Sequence, residues 1–261
     1  MESKPFKSVE NSHVGLKGGM FLKYKIIGGL NIDGSCVWVG NDDEGVVMDF
    51  GMNVKNNSVP DLEKLKNLPV NAVFITHAHL DHIGGLPVFL RHFDVPVYAT
   101  YPTKKLGVFI LLDAEKLSGI YDRREVIKSY QKISEISYGQ EVRVGKSIKI
   151  KLRNAGHILG AGYIEGEVGG KTFIFTGDFS NRVQKTVPAC DPPDVKKVDL
   201  LITEATYGDC EHPSRKEEIY SFISGVLEVV GRGGKVLIPS FAIGRTQEIL
   251  IILENYLNSY G

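Results

Sequence analysis

Three imidazoles and a carboxylate fall within six residues at His77, His79, Asp81 and His82, inside the run Thr76 to His82 that reads Thr-His-Ala-His-Leu-Asp-His. Imidazoles crowded this closely need a cation to offset their desolvation and mutual repulsion. On an extended segment, residues two apart project to one side, so His77 and His79 can share one ion at metal–nitrogen distances of about 2.0 to 2.1 Å. Asp81 and His82 follow where the chain must turn towards a helix, which re-aims them at a second position. The stretch is read as a site for two metals; a solvent-tolerant strand end would explain a lone histidine but not this density.

Other residues have matching chemistry. His157 stands in a loop with Gly156, Gly160 and Gly162, which allow close backbone approach. Asp178 follows an apolar run within Thr-Gly-Asp, where one carboxylate can offer both oxygens to two ions. Asp49 ends the run Val46-Val47-Met48 ahead of Gly51 and reads either as a turn acid or as a carboxylate that fixes the tautomer of a ligand histidine. Glu204 ends the apolar run from Val198 to Thr203.

The elements that position these groups follow from periodicity and turn chemistry. Phe21–Ile27 and Ser35–Val39 read as strands joined by a turn containing Asp33-Gly34, with a third strand over Val46–Met48. Asp61–Leu68 reads as a short helix and Val70–Thr76 as the buried strand that delivers the ligand run. A helix from Pro87 to about Phe93 follows, then a strand over Val95–Ala99 and helices over Thr103–Leu117 and Arg123–Lys132. Strands return at Glu141–Val144, Ile148–Asn154, Gly162–Val168 and Thr172–Thr176. Val198–Thr203 is a further strand. Ser214 with Glu217 reads as a capping box opening a helix to about Gly231, followed by a strand over Lys235–Pro239 and a helix over Thr246–Leu257. Strands alternating with helices around loop-borne ligands predict an α/β (α+β layered) fold with helices outside two packed sheets.

Composition sets the outer bounds. At 261 residues, 43% of them hydrophobic, the chain can bury a sizeable core. Basic and acidic residues number 31 each, so a phosphate-binding surface would have to be a local patch. Cys36, Cys190 and Cys210 show no paired spacing, which is the usage of reduced thiols in a cytoplasmic setting, and Cys36 reads as a buried strand residue. No apolar run is long enough for a membrane span, and residues 1–20 read as a flexible N-terminal arm without a signal-peptide core. Lys146, Lys149, Lys151 and Arg153 form a basic stripe, read either as a solvated face or as a path for single-stranded RNA. Arg245 and Gln247 stand at a helix start, where they would either contact phosphates or pack locally.

The Thr76–His82 run, with Asp49-Phe50-Gly51, Gly156-His157-Ile158-Leu159-Gly160-Ala161-Gly162 and Phe175-Thr176-Gly177-Asp178-Phe179, resembles the metallo-β-lactamase superfamily. Glu204-Ala205-Thr206-Tyr207-Gly208-Asp209 and the stretch Ile238 to Glu248 resemble its β-CASP branch, which includes the cleavage and polyadenylation endonuclease, archaeal relatives and RNase J. The resemblance implies an αββα sandwich over 21–208 and the beginning of a β-CASP module over 209–261. It implies that His77, His79 and His157 bind one Zn2+, that Asp81 and His82 bind a second, and that Asp178 bridges the two, with Asp49 behind a ligand histidine. Two zinc ions hold a water whose pKa falls from about 15.7 towards about 7. The implied activity is a ribonuclease, endo- or 5′-exonucleolytic, that uses this hydroxide to cut single-stranded RNA and leaves 5′-phosphate and 3′-hydroxyl ends. Asp81, Asp178 and Glu204 are its candidate catalytic carboxylates, and Arg245 is a candidate phosphate contact.

The sequence departs from the branch in one respect. Members supply two further histidines from later motifs, one oriented by the residue matching Glu204 and one completing the second zinc. After Asp178 this chain has only His212, in the loop Cys210-Glu211-His212-Pro213. The expectation is therefore a chain ending within the β-CASP module, with a homodimer mate or a complementary chain supplying those groups. The alternatives are a DNA nuclease of the same branch, a metallo-hydrolase of small thioesters or lactams, and an inactive scaffold subunit.

Overall fold

The computed structural model describes residues 13–14, 21–30 and 34–260. The arm expected over 1–20 contributes a two-residue strand, β1 (His13–Val14), and the rest of it lies outside the described residues, as does Asp33 of the expected turn. The first sheet continues with β2 (Leu22–Gly28), β3 (Cys36–Gly40), β4 (Gly45–Met48), β5 (Ala72–Phe74), β6 (Val97–Ala99) and β7 (Ile133–Glu135). These seven strands lie side by side in chain order. Pairing is antiparallel up to β4 and parallel from β4 to β7. The second sheet contains β8 (Glu141–Val144), β9 (Ile148–Asn154), β10 (Gly162–Val168), β11 (Lys171–Phe175) and β12 (Leu200–Ile202), in the order β12-β11-β10-β9-β8.

The central strands of the first sheet are buried on both faces, and their alternation sorts side chains into two cores. Cys36, Trp38, Val47, Val73 and Ile75 face a helical layer made by α3 (Tyr101–Ser118) and α4 (Arg123–Lys132), meeting Leu111, Ala114 and Val126. Val37, Val39, Val46, Met48, Ala72 and Phe74 face the second sheet, meeting Ile148, Ile150, Leu152, Ile164 and Phe173. Helix starts are fixed by side chains, as Thr100 accepts from the Thr103 amide at α3 and Asp122 with Glu125 forms a reciprocal capping box at α4.

The structure departs from the sequence expectations at several elements. Asp61–Leu68 yields only a 3-10 turn at Leu62–Lys64, closed by Asp61 and cut short by Pro69. Ser214 precedes α5 (Arg215–Gly231) but its hydroxyl makes no cap bond, so the expected capping box does not form. Lys235–Pro239 is not a strand: no neighbour among the described residues pairs with it, and Leu237 is 92% exposed. The basic stripe is largely neutralised. Lys149 pairs with Glu167 at 2.9 Å, Arg153 pairs with Asp194, and Lys151 lies opposite Glu141 and Glu165. Its reading as an RNA path loses its support. Among the described residues, no helix is long and apolar enough to cross a membrane, and the three cysteines are free thiols.

Candidate metal centre

Strands β4 and β5 of the first sheet and β9 and β11 of the second end towards one edge of the sandwich, where their loops bring the predicted ligands together. After β5, His77 is fully buried, and His79 takes an extended backbone as the residue before the short helix α1 (Leu80–Ile83), which carries Asp81 and His82. That helix, followed at once by α2 (Leu86–Phe89), lies against the loop after β4. Phe50 and Met52 amides donate to the His82 and Leu80 carbonyls at 3.0 Å each, and the Ser35 amide donates to the Asp81 carbonyl at 2.6 Å. A Cβ on Gly51 would stand 1.7 Å from the Asp81 carbonyl oxygen, so only glycine lets the two segments cross here. His157 comes from the loop between β9 and β10. That loop is fixed by Thr100 and Thr103 hydroxyls on the Gly160 carbonyl (2.7 and 2.9 Å) and by the Gln184 amide on the Gly156 and His157 carbonyls (2.8 Å each). Asp178 follows β11.

Hydrogen-bond partners assign the imidazole tautomers. The Ile243 carbonyl, 3.3 Å from His79 Nε2, can only accept, so Nε2 carries the proton and Nδ1 is a lone pair. Asp49 accepts from His82 Nδ1 at 2.7 Å, which points His82 Nε2 at Asp178. The Thr76 hydroxyl donates to the Asp49 carboxylate (2.9 and 3.0 Å) and so accepts from His77 Nδ1 at 3.1 Å, leaving His77 Nε2 free. His77 Nε2 and His157 Nε2 each stand 3.1 Å from His79 Nδ1. With His77 and His79 assigned in this way, no proton lies between their facing nitrogens. Tetrahedral zinc with bonds of about 2.0 to 2.1 Å needs nitrogens about 3.3 Å apart. The donor set therefore fits a metal ion, and the ligand atoms of His77, His79, His157 and Asp178 lie within 4.8 Å of one another.

Asp178 turns its two oxygens to different neighbours. Oδ1 is 3.3 Å from His82 Nε2, and Oδ2 is 3.5 Å from His157 Nε2 and 3.8 Å from His77 Nε2. Asp81 Oδ2 stands 3.8 Å from His82 Nε2, which groups Asp81, His82 and one oxygen of Asp178 beside the first cluster. Burial, reinforced by the neighbouring imidazoles, pushes His77 well below the usual histidine range. Burial also lowers His79, and takes His157 down to about 4 despite Asp178. Burial alone would lower His82 as well, but the Asp49 and Asp178 carboxylates outweigh it and hold it well above its ordinary value. Asp178 is itself held at about 2, the surrounding imidazoles overcoming its burial. His77, His79 and His157 are thus neutral at pH 7, as metal ligation requires.

The outlying candidates fall in different places. Glu204, after β12, accepts from the Phe179 amide at 3.1 Å, and its own amide donates to Thr176 Oγ1 at 3.2 Å, so it stands beside the Asp178 loop. Arg245 is exposed at the start of α6 (Arg245–Tyr260), and its charge contributes to lowering His157. Gln247 is taken up locally, accepting from the Gly244 amide at 2.7 Å and donating to the Ala242 carbonyl at 2.9 Å. Of the two readings open for Gln247, these bonds favour local packing. His212 packs against Tyr207 and is not among the grouped ligand atoms. Sequence reasoning missed Ile243, whose carbonyl orients a ligand 164 residues earlier in the chain, and Glu248. The Glu248 side chain is buried and accepts from the Lys185 and Thr186 amides, the Thr186 hydroxyl and Arg215.

Known proteins resemble this chain over most of its length. The family model described as "Metallo-beta-lactamase superfamily" matches residues 31–209. An RNase J-like protein from Methanocaldococcus jannaschii is 38% identical over 228 residues, covering 86% of this chain and 52% of that protein. RNase aCSPSF2 from Saccharolobus solfataricus is 36% identical over 239 residues, covering 89% and 48%. Cleavage and polyadenylation specificity factor subunit 3 from Dictyostelium discoideum is 36% identical over 260 residues, covering 92% and 33%. The chain spans about half the length of the first two of these relatives. It belongs to the metallo-β-lactamase superfamily, in the β-CASP branch.

Proposed function

We propose that this chain carries the hydrolytic centre of a zinc-dependent ribonuclease that cuts phosphodiester bonds of single-stranded RNA and leaves 5′-phosphate and 3′-hydroxyl ends. The observation that carries the reading is the convergence of His77 Nε2, His79 Nδ1, His157 Nε2 and an Asp178 oxygen within 4.8 Å. The relatives' names, RNase J-like protein and RNase aCSPSF2, support RNA as the polymer. The family match over 31–209 supports a metallo domain over 21–208, and in the same reading residues 209–261 belong to a β-CASP module.

In this reading His77, His79 and His157 would hold one Zn2+, Asp81 and His82 would hold a second, and Asp178 would serve both. Metal ions there would make a bound water acidic enough to ionise near neutral pH and would draw charge from the phosphoryl oxygens. The chain's own residues keep the donors in place. Asp49 and Thr76 lock His82 and His77 with Nε2 turned inward, and the Ile243 carbonyl locks His79 with Nδ1 inward. Glu204 is held beside Asp178 through the Phe179 amide, a position from which it can orient a proton donor for the leaving 3′-oxygen. A proton donor and a further ligand for the second zinc complete the site in this reading, and a second copy or a complementary chain is one source of them.

The test is cleavage of 5′-labelled single-stranded RNA by the purified chain, with zinc and with chelator, beside an Asp81→Ala, His82→Ala double variant. Zinc-dependent cleavage lost in chelator and in the variant is expected, with two zinc ions per chain by elemental analysis. Cleavage that persists in chelator, or a chain that takes up no zinc, would overturn the reading.

A further inference from the structure

Three large apolar side chains stand exposed beside the metal-facing groups. Leu159 lies two residues after His157, Phe179 directly follows Asp178, and the Phe241 ring lies 6.0 Å from that of His79, centroid to centroid, tilted by 39°. Phe241 is the most exposed of the three, at 76%. A rim of this kind around a polar centre calls for a ligand with both charge and flat apolar surface.

Phe241 also sits on a segment with little freedom. Its carbonyl accepts from the Thr246 amide (3.3 Å) and hydroxyl (2.7 Å), and Thr246 Oγ1 is 2.7 Å from Ser240 Oγ. Gln247 clamps the same turn at Ala242 and Gly244, and the Ile243 carbonyl receives the His79 proton. The bond that orients a metal ligand therefore also fixes the distance of an exposed aromatic ring from the centre. Four residues on, Arg245 stands exposed at the start of α6.

We propose that Phe241 is a stacking platform for a nucleobase of the RNA strand next to the bond being cut, with Arg245 facing the accompanying phosphate. The inference rests on the proposed RNA substrate. Every base presents a π-face, so such a platform grips a strand without reading its sequence. In a duplex those faces are already stacked on one another, so the platform selects single strands.

The experiment compares a fluorescein-labelled single-stranded RNA with phosphorothioate linkages and the same oligomer carrying abasic positions, bound to the zinc-loaded chain and read by anisotropy. The wild-type chain is expected to favour the base-bearing oligomer by about tenfold or more. Phe241→Ala, with folding verified by its melting temperature, is expected to bring that preference close to unity. Phe241→Trp should retain it and add an indole emission quenched only by the base-bearing strand, against the single buried Trp38 of the wild type. If Phe241→Ala keeps the wild-type preference, or weakens both oligomers equally, the stacking role is wrong. Hydrolysis of bis(p-nitrophenyl) phosphate separates the two readings. A wild-type chain that cleaves this diester but shows no preference between oligomers overturns the platform alone, whereas one that neither cleaves it nor binds either oligomer overturns the proposed function as well.

Discussion

Asp49 has a left-handed backbone, with φ at 59°, at a position with no exposed surface. Such a conformation costs a non-glycine residue about 1 to 3 kcal/mol and persists only where its surroundings enforce it. Here the side chain accepts from the Thr76 amide at 2.7 Å, from the Thr76 hydroxyl and from His82 Nδ1, so the strained backbone aims one carboxylate at two ligand-bearing segments. Asp49→Asn should tolerate the same backbone, since asparagine also visits this region, but it replaces an acceptor oxygen with a donor. The expected outcome is zinc affinity lower by about 10- to 100-fold, measured by competition with a chromogenic chelator, with little change in fold by circular dichroism. The contiguous ligands from His77 to His82 were legible in the sequence because one strand end carries them all. The Ile243–His79 bond was not, because nothing local marks a carbonyl as the partner of an imidazole far back in the chain.

Among the elements, the turn between β3 and β4 shows how far a single side chain can reach. Glu44 accepts from the Lys146 and Ser147 amides at 2.6 Å each and from the Ser147 hydroxyl, and so ties this turn to the one between β8 and β9. Burial alone would raise its pKa, but the Ser147 hydroxyl, the two amides and the Lys146 charge outweigh that and lower it. Because the folded value lies below the unfolded one, the tether is fully present above about pH 4.5 and is lost as pH falls through the folded value. Glu44→Gln should cost about 1 to 3 kcal/mol in urea denaturation at pH 7 and flatten the loss of stability on acidification. The alternation of β9, with Ile148, Ile150 and Leu152 inward, was readable because its period matches one buried face. Lys235–Pro239 has the composition of a strand too, but a strand is defined by its neighbour, and composition cannot supply one.

At the level of the whole molecule, the ligands come from both sheets. His77, His79, Asp81 and His82 leave the seven-stranded sheet, and His157 and Asp178 leave the five-stranded one. Metal held by this set binds only the folded arrangement, so it should raise the melting temperature. At a free concentration 100 times the dissociation constant the stabilisation is about 2.7 kcal/mol, to be read as a downward shift of the melting curve in chelator. An unchanged curve would argue against ligation by both sheets. The layered fold was legible because blocks of strands alternate with helical patterns. The meeting of the two ligand sets could not be seen, since it depends on how the sheets are stacked. The Glu44 tether lies at the turns where β4 and β9 begin, and the ligand cluster lies where they end, so the sandwich is riveted at opposite ends by different chemistries. Chelator should therefore open the seam from one end and acid from the other, and amide exchange should show two fronts advancing from opposite directions.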